Sequence, residues 1–179
     1  MSSAEELNIQ IERINPERVP EAYEAIHETL DDLVPRGMFH SELTLDELIE
    51  NNKNNVEAWD KDENYVFFII DIALNQFVGA VMFNDVNRDY QMANLGYWVR
   101  NSRTGEGIAT KAAKLAVMYG FEKLGFQRIE IVVAETNKPS LRIAEKLGAV
   151  REGLLRNRLF IHGASYDAYM HSLIPKDIE

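Results

Sequence analysis

Gly105 and Gly107 stand two residues apart inside the stretch LGYWVRNSRTGEGIATKAAKLAVMYGFEK, which runs from Leu95 to Lys123. Leu95, Tyr97 and Val99 alternate with Gly96, Trp98 and Arg100, which predicts a strand. Asn101-Ser102-Arg103-Thr104-Gly105 is a cluster of turn formers. From Gly107 onward Ile108, Ala112, Leu115, Ala116, Tyr119 and Leu124 recur at helical spacing. A strand, a glycine turn and a helix start together aim free backbone N–H groups at an anion, and the helix dipole adds positive potential there. Glycine lets the backbone approach a phosphate and take positive φ. The ligand expected is a diphosphate, although the same spacing also serves plain turn chemistry. Other phosphate loops fit poorly: GxxxxGK[ST] is absent, and GxGxxG would need a glycine where Thr110 stands.

Thr104-Gly105-Glu106-Gly107-Ile108-Ala109 resembles the pyrophosphate loop of the GNAT acetyltransferases, Q/R-x-x-G-x-G/A. Gly107 and Ala109 match, Thr104 departs from the usual Gln or Arg, and Arg103 stands one place early as a substitute charge. Asn137-Lys138-Pro139-Ser140, followed by Ile143 to Gly148, resembles the next motif of that superfamily. Arg151-Glu152-Gly153-Leu154-Leu155-Arg156-Asn157, then His162-Gly163 and Asp167, resembles the end of the RimJ/RimL branch, the N-terminal acetyltransferases of ribosomal proteins. The likeness runs from about Leu7 to Ile174.

That resemblance implies acetyl-CoA as acyl donor, lying where two central parallel strands at 92–100 and 127–134 splay apart. Backbone groups of Trp98 and Val99 would bond the pantetheine arm. The N–H groups of Gly105, Glu106, Gly107, Ile108, Ala109 and Thr110 would take the pyrophosphate, and Asn137 would hold the arm from the far side while also able to cap a helix. The reaction implied is direct attack of a neutral amine on the thioester, with a backbone N–H near Val99 polarising the carbonyl. Many relatives place a tyrosine acid where Ala144 stands here. Ser140 falls where the RimJ/RimL branch is thought to use a serine toward the CoA sulfur, and is the expected acid. The branch's glutamate position holds Leu159, so Glu135, two residues before Asn137, is the first candidate base. Related enzymes often carry Trp-Pro-Trp where Val34-Pro35-Arg36 stands, in the loop from Leu33 to His40 expected to border the acceptor pocket with Tyr166, Asp167 and Tyr169.

The acceptor implied is a primary amine, foremost the N-terminal α-amine of a protein such as a ribosomal protein. Its reference pKa of about 7.7–8.0 leaves an appreciable neutral fraction, whereas a lysine at about 10.4 needs far more help. A small amine (polyamine, amino-acid conjugate or antibiotic) is the enzymatic alternative, and a non-catalytic acyl-CoA-binding regulatory module is the alternative of another class.

The 179 residues carry a net charge of −10 from 19 basic and 29 acidic side chains. That balance disfavours nucleic acid and suits a cationic partner or simple solubility. No apolar run is long enough to cross a bilayer, and Met1 to Glu6 lacks the character of a secretory signal, so a cytoplasmic location is expected. With no cysteine, disulfides, thiolate metal sites and a cysteine nucleophile are excluded. His27, His40, His162 and His171 show no metal-ligand spacing, and no metal is expected. A homodimer is compatible with the sequence.

The elements that must position these residues follow from periodicity, and one domain over 1–179 is expected. A first strand is read over Leu7–Ile14, a helix from Asn15-Pro16 with Val19, Ala22, Tyr23, Ile26 and Leu30 inward, and a second helix from Thr44. Thr44 and Glu47 form a capping box there, with Leu45, Leu48 and Ile49 as core stripe and Asn51–Asn64 as a polar connecting loop. Tyr65–Leu74 reads as a strand buried on both faces, returning as a hairpin over Phe77–Phe83. Strands at 127–134, 149–160 and 165–173 and helices at 107–124 and 138–147 complete the chain. Strands flanking each later helix are expected to be parallel. The composition of elements predicts an α/β (α+β) domain. The resemblance sharpens this to a mixed, mostly antiparallel seven-stranded sheet with a central, splayed parallel pair, flanked by about four helices.

Overall fold

The expected alternation produces β1 (Ile9–Arg13), and the near-continuous apolar run produces β2 (Tyr65–Asp71), every residue of which is buried. These come from a computed structural model that describes residues 7–178, so the Met1–Glu6 stretch read above for signal character lies outside the described residues. Between β1 and β2 lie α1 (Val19–Leu33), entered through a short turn of 3-10 helix at Pro16–Arg18 capped by Asn15, and α2 (Leu45–Asp60). Then follow β3 (Gln76–Asn87), β4 (Met92–Val99), α3 (Ile108–Glu122), β5 (Arg128–Ala134), α4 (Lys138–Lys146), β6 (Val150–Ile161) and β7 (Ala164–Leu173).

The strands form one seven-stranded sheet in the order β1-β2-β3-β4-β5-β7-β6. Every neighbouring pair is antiparallel except β4 and β5. β5 and β6, which flank α4, run in the same direction as expected, but they are not partners because β7 lies between them. Charge explains the insertion. β7 carries the buried Ala168, His171, Ser172 and Leu173, whereas no residue of β6 is buried. The strand with the four charged side chains Arg151, Glu152, Arg156 and Arg158 takes the edge, and β7, with Asp167 alone, takes the inner place.

Two apolar layers cover the sheet. One gathers Val19, Ala22, Ile26 and Leu48 of α1 and α2 over Phe68, Phe77 and Trp98. The other gathers Ala112, Ala113, Ala116 and Val117 of α3 and Ala144 of α4 over Phe83, Leu95 and Ile131. The capping box of Thr44 and Glu47 forms as expected. The loop expected over Asn51–Asn64 does not: α2 continues to Asp60. Its asparagines are weak helix formers, but no Gly or Pro interrupts them, and tertiary contacts compensate. Trp59 packs edge-on against Tyr65 and Phe67 at 5.1 and 4.8 Å between ring centroids. Ile49 is exposed rather than part of the stripe.

Candidate active site

The site begins where the central pair stops pairing. β4 and β5 are in register only from Met92 to Asn94 against Arg128 to Glu130. Beyond that the Val132 N–H donates to the Asn94 side-chain Oδ1 at 3.2 Å, so a side chain stands in for a strand carbonyl as the two strands diverge. The opening continues into a cleft of about 1080 Å³ whose walls include Asn94 to Trp98 and Ile131 to Ala134. The Arg100 N–H donates to Val78 O at 2.9 Å. Peptide groups alternate sides along a strand, so those of Trp98 also turn to β3 and those of Tyr97 and Val99 face the opening. The expectation for Trp98 is corrected accordingly: its side chain is buried on the α1 face, and Tyr97 joins Val99 in offering free strand groups.

At the mouth of the opening the chain turns into α3. Gly105 and Gly107 have φ of 83° and 85°, the left-handed conformation that glycine adopts at least cost. The Lys111 N–H is the first to return to Gly107 O, at 3.0 Å. The N–H groups of Ile108, Ala109 and Thr110 precede the first helical acceptor and point out of the helix end. Thr104 donates its Oγ1–H to Asn101 O at 2.9 Å. Arg103 is not a free charge for an anion here: its guanidinium pairs with Asp71 and with Glu106, both at 2.8 Å. That hydrogen bond holds the Asp71 carboxyl below the usual carboxylate range. Arg103 and Glu106 therefore brace the loop instead of extending it.

A second brace comes from α1. Glu28 accepts from Arg100 at 2.5 Å and from the Ser102 N–H at 2.6 Å, while Thr29 Oγ1 accepts from the Asn101 N–H at 3.1 Å. The Arg100 hydrogen bond, chief among these contacts, brings the Glu28 carboxyl down to about 2 from 4.5. A lowered folded-state pKa stabilises the fold above the unfolded value and loses that contribution as pH falls through the window. Thermal unfolding should therefore show wild type losing stability between pH 4.5 and 2. Glu28→Gln should cost about 1–3 kcal/mol at pH 7 and flatten part of that acid limb; an unchanged pH profile would exclude the brace.

On the far side of the opening, Asn137 caps α4 by accepting from the Ser140 N–H at 3.2 Å, and both residues line the cleft. Ser140 is half-buried, and its C=O accepts from the Tyr97 hydroxyl at 3.3 Å. Burial pushes the Tyr97 phenol up to about 12, so it remains a proton carrier. Sequence reading counted Tyr97 only as a strand residue. The available signal was its parity with Leu95 and Val99, which places it on the face that α4 covers. Glu135 is not brought to this group: it sits exposed at the end of β5, outside the cleft wall, and its N–H donates to Asp167 O at 3.2 Å. Leu159 does line the wall, which is apolar at that point.

The other end of the cleft is roofed by the 33–40 loop and the β6–β7 turn. His162 Nε2 lies 2.6 Å from Val34 O, and a Cβ on Gly37 would come within 3.2 Å of Ile161. Asp31, Asp32, Arg36 and Tyr166 line this end, while Tyr169 is covered by the Arg151 guanidinium, 3.3 Å from its ring centre. Among the described residues no cluster of His, Asp or Glu is placed to hold a metal, and no helix is long and apolar enough to cross a membrane.

The family profile described as "Acetyltransferase (GNAT) domain" matches residues 11–150. The chain is 34% identical to "Probable N-acetyltransferase YjcK" of Bacillus subtilis (strain 168) over 124 residues, 69% of this chain and 68% of that one. It is also 34% identical to the spermidine N(1)-acetyltransferase of Escherichia coli (strain K12), over 48% of this chain and 46% of the relative. The ribosomal-protein-S5-alanine acetyltransferase from Vibrio fischeri superposes over 100% of both chains with a TM-score of 0.87 at 21% identity. That structure, like its RimL and RimJ counterparts, shares the fold. With the diverging β4–β5 pair, the glycine turn into α3 and a profile spanning most of its length, this chain belongs to the GNAT acetyltransferase family, as an acetyl-CoA-dependent N-acetyltransferase.

Proposed function

We propose that this protein transfers the acetyl group of acetyl-CoA to the N-terminal α-amine of a protein, a ribosomal protein being the foremost candidate. The observation that carries this reading is one continuous opening. The free strand groups of Tyr97 and Val99, the capped Asn137–Ser140 turn and the cleft beyond them meet where β4 and β5 part. In this reading the pantetheine arm adds to the edge of β4 through Tyr97 and Val99. The pyrophosphate takes the N–H groups from Gly105 to Thr110, and Asn137 borders the arm from α4. Residues 1–179 act as one domain, and the protein works in the cytoplasm beside its substrate.

The amine nitrogen attacks the thioester carbon, the tetrahedral intermediate collapses, and the C–S bond breaks. The departing thiolate takes a proton from Ser140, which recovers one from the water that receives the amine proton, with Tyr97 beside it as a second hydroxyl. The amine proton leaves to water, because Glu135 stands outside the cleft and an α-amine with a reference pKa of about 7.7–8.0 needs no strong base. Resemblance to RimJ and RimL supports a protein N-terminus over a polycation, as do the neutral amides of Asn52, Asn55, Asn84 and Asn94 along one wall, the carboxylates Asp31 and Asp32 lying beside the 33–40 loop.

A release assay for the CoA thiol tests the reading, with peptides starting in Ser or Ala, polyamines and aminoglycosides as acceptors. Turnover is expected on the peptides. Gly107→Ala, forced into a left-handed conformation that costs a non-glycine residue roughly 1–2 kcal/mol, should raise the KM for acetyl-CoA about tenfold. Turnover confined to small amines would replace the acceptor, and an unchanged KM in the variant would remove the loop from CoA binding.

A further inference from the structure

The inward stripe of α2 changes character halfway along the helix. Leu48 is buried against the sheet, but the following turns present Asn52 and Asn55 to the cleft where apolar residues would complete the stripe. Asn52 is only 4% exposed, and its Oδ1 has no hydrogen-bond partner among the described residues. Asn64, just before β2, donates its Nδ2 to Asn55 Oδ1 at 3.0 Å, and its own buried Oδ1 is likewise without a partner. Asn84 and Asn94 of β3 and β4 line the same cleft, joined at 2.8 Å. Asn94 also holds the Val132 N–H, so this polar wall runs directly into the strand opening. Buried polar groups are normally satisfied, and an unsatisfied one costs on the order of 1–3 kcal/mol. Two unpartnered amide oxygens, closed to solvent on side chains that line the cleft, therefore mark a wall whose amides gain partners by turning toward a ligand's polar atoms.

We propose that this wall, with Asn52 at its centre, binds the backbone of the acceptor peptide, taking the peptide groups that follow the reacting N-terminal residue. The inference rests on the peptide reading above and deepens it. A primary amide carries a donor and an acceptor side by side, and a peptide group matches both. An ammonium carries donors only, and bringing it among neutral amides would strip its hydration without a counter-charge. The carboxylates that do line the cleft, Asp31 and Asp32, lie beside the 33–40 loop and not along this wall. Backbone contacts of this kind read length and extension of the acceptor rather than its side chains.

Asn52→Leu separates binding from folding, since an apolar residue of similar size relieves an unsatisfied amide. Its melting temperature should equal or exceed that of wild type. Its KM for a Ser-starting tetrapeptide should rise about tenfold, with kcat and the KM for acetyl-CoA within twofold. For wild type, methylating the second and third peptide nitrogens should produce the same loss, and Asn52→Leu should show little further response to methylation. Asn64→Leu provides the same readout should Asn52→Leu fail to fold. Unchanged peptide KM in a folded variant, or insensitivity of wild type to methylation, overturns the inference while leaving peptide acetylation intact. Small-amine turnover with no peptide turnover by wild type overturns the peptide reading and this inference with it.

Discussion

The double variant Ser140→Ala/Tyr97→Phe is expected to lose turnover by on the order of 10²-fold, the lower end of what a positioned proton donor contributes. Acetyl-CoA binding, measured by calorimetry, should stay within twofold. Both hydroxyls border the same opening, and the Tyr97 hydroxyl already donates to the Ser140 carbonyl at 3.3 Å. Burial pushes the phenol up to about 12, so a proton is available throughout the neutral range. The single variants divide the work. Loss confined to Ser140→Ala makes the serine the donor and Tyr97 a positioning residue, whereas loss confined to Tyr97→Phe reverses the roles. An undiminished kcat in the double variant would send the thiolate's proton to solvent and remove both from the mechanism.

Gly79→Ala should have the largest effect on stability. A Cβ at this position would lie 2.2 Å from the Trp98 carbonyl oxygen and 2.9 Å from the Val99 Cα. Both are backbone atoms of β4, which cannot swing aside as a side chain would, so the strands must separate. Overpacking of this severity costs about 3 kcal/mol or more, or roughly 6–12 °C of melting temperature for a chain of this size. Because Val99 is one of the residues whose peptide groups face the opening, the acetyl-CoA KM should rise in the same variant even under conditions where it is fully folded. A melting temperature within 2 °C of wild type would show that β3 and β4 are not packed this closely.

Much of the frame was legible because its causes are local. The Thr44–Glu47 capping box, the proline-led helix starts, the wholly apolar β2 and the turn at Gly105–Gly107 are each specified by a few adjacent residues. The extension of α2 across Asn51–Asp60 was not, because polarity resembles a loop until the contacts of Trp59 with Tyr65 and Phe67 are known. Parallel direction for the strands around α3 and α4 followed from the crossovers, but the sheet order did not. Whether β7 or β6 lies next to β5 depends on which strand can leave its charged side chains in solvent at the sheet edge once the whole sheet is assembled.

By itself, then, the sequence determined the phosphate-type turn, the helix caps, the strand periodicities and the motif spacing of an acetyltransferase, all interactions within a few residues of one another. Only the tertiary structure decided which groups meet at the opening. It turned Tyr97 rather than Trp98 toward the opening, set Tyr97 on Ser140 across 43 positions, tied Arg103 to Asp71 across 32, and left Glu135 outside. Those outcomes rest on sheet register and the packing of two helical layers, and a register shift of one residue in β4 would turn Tyr97 to the opposite face while leaving the local patterns unchanged.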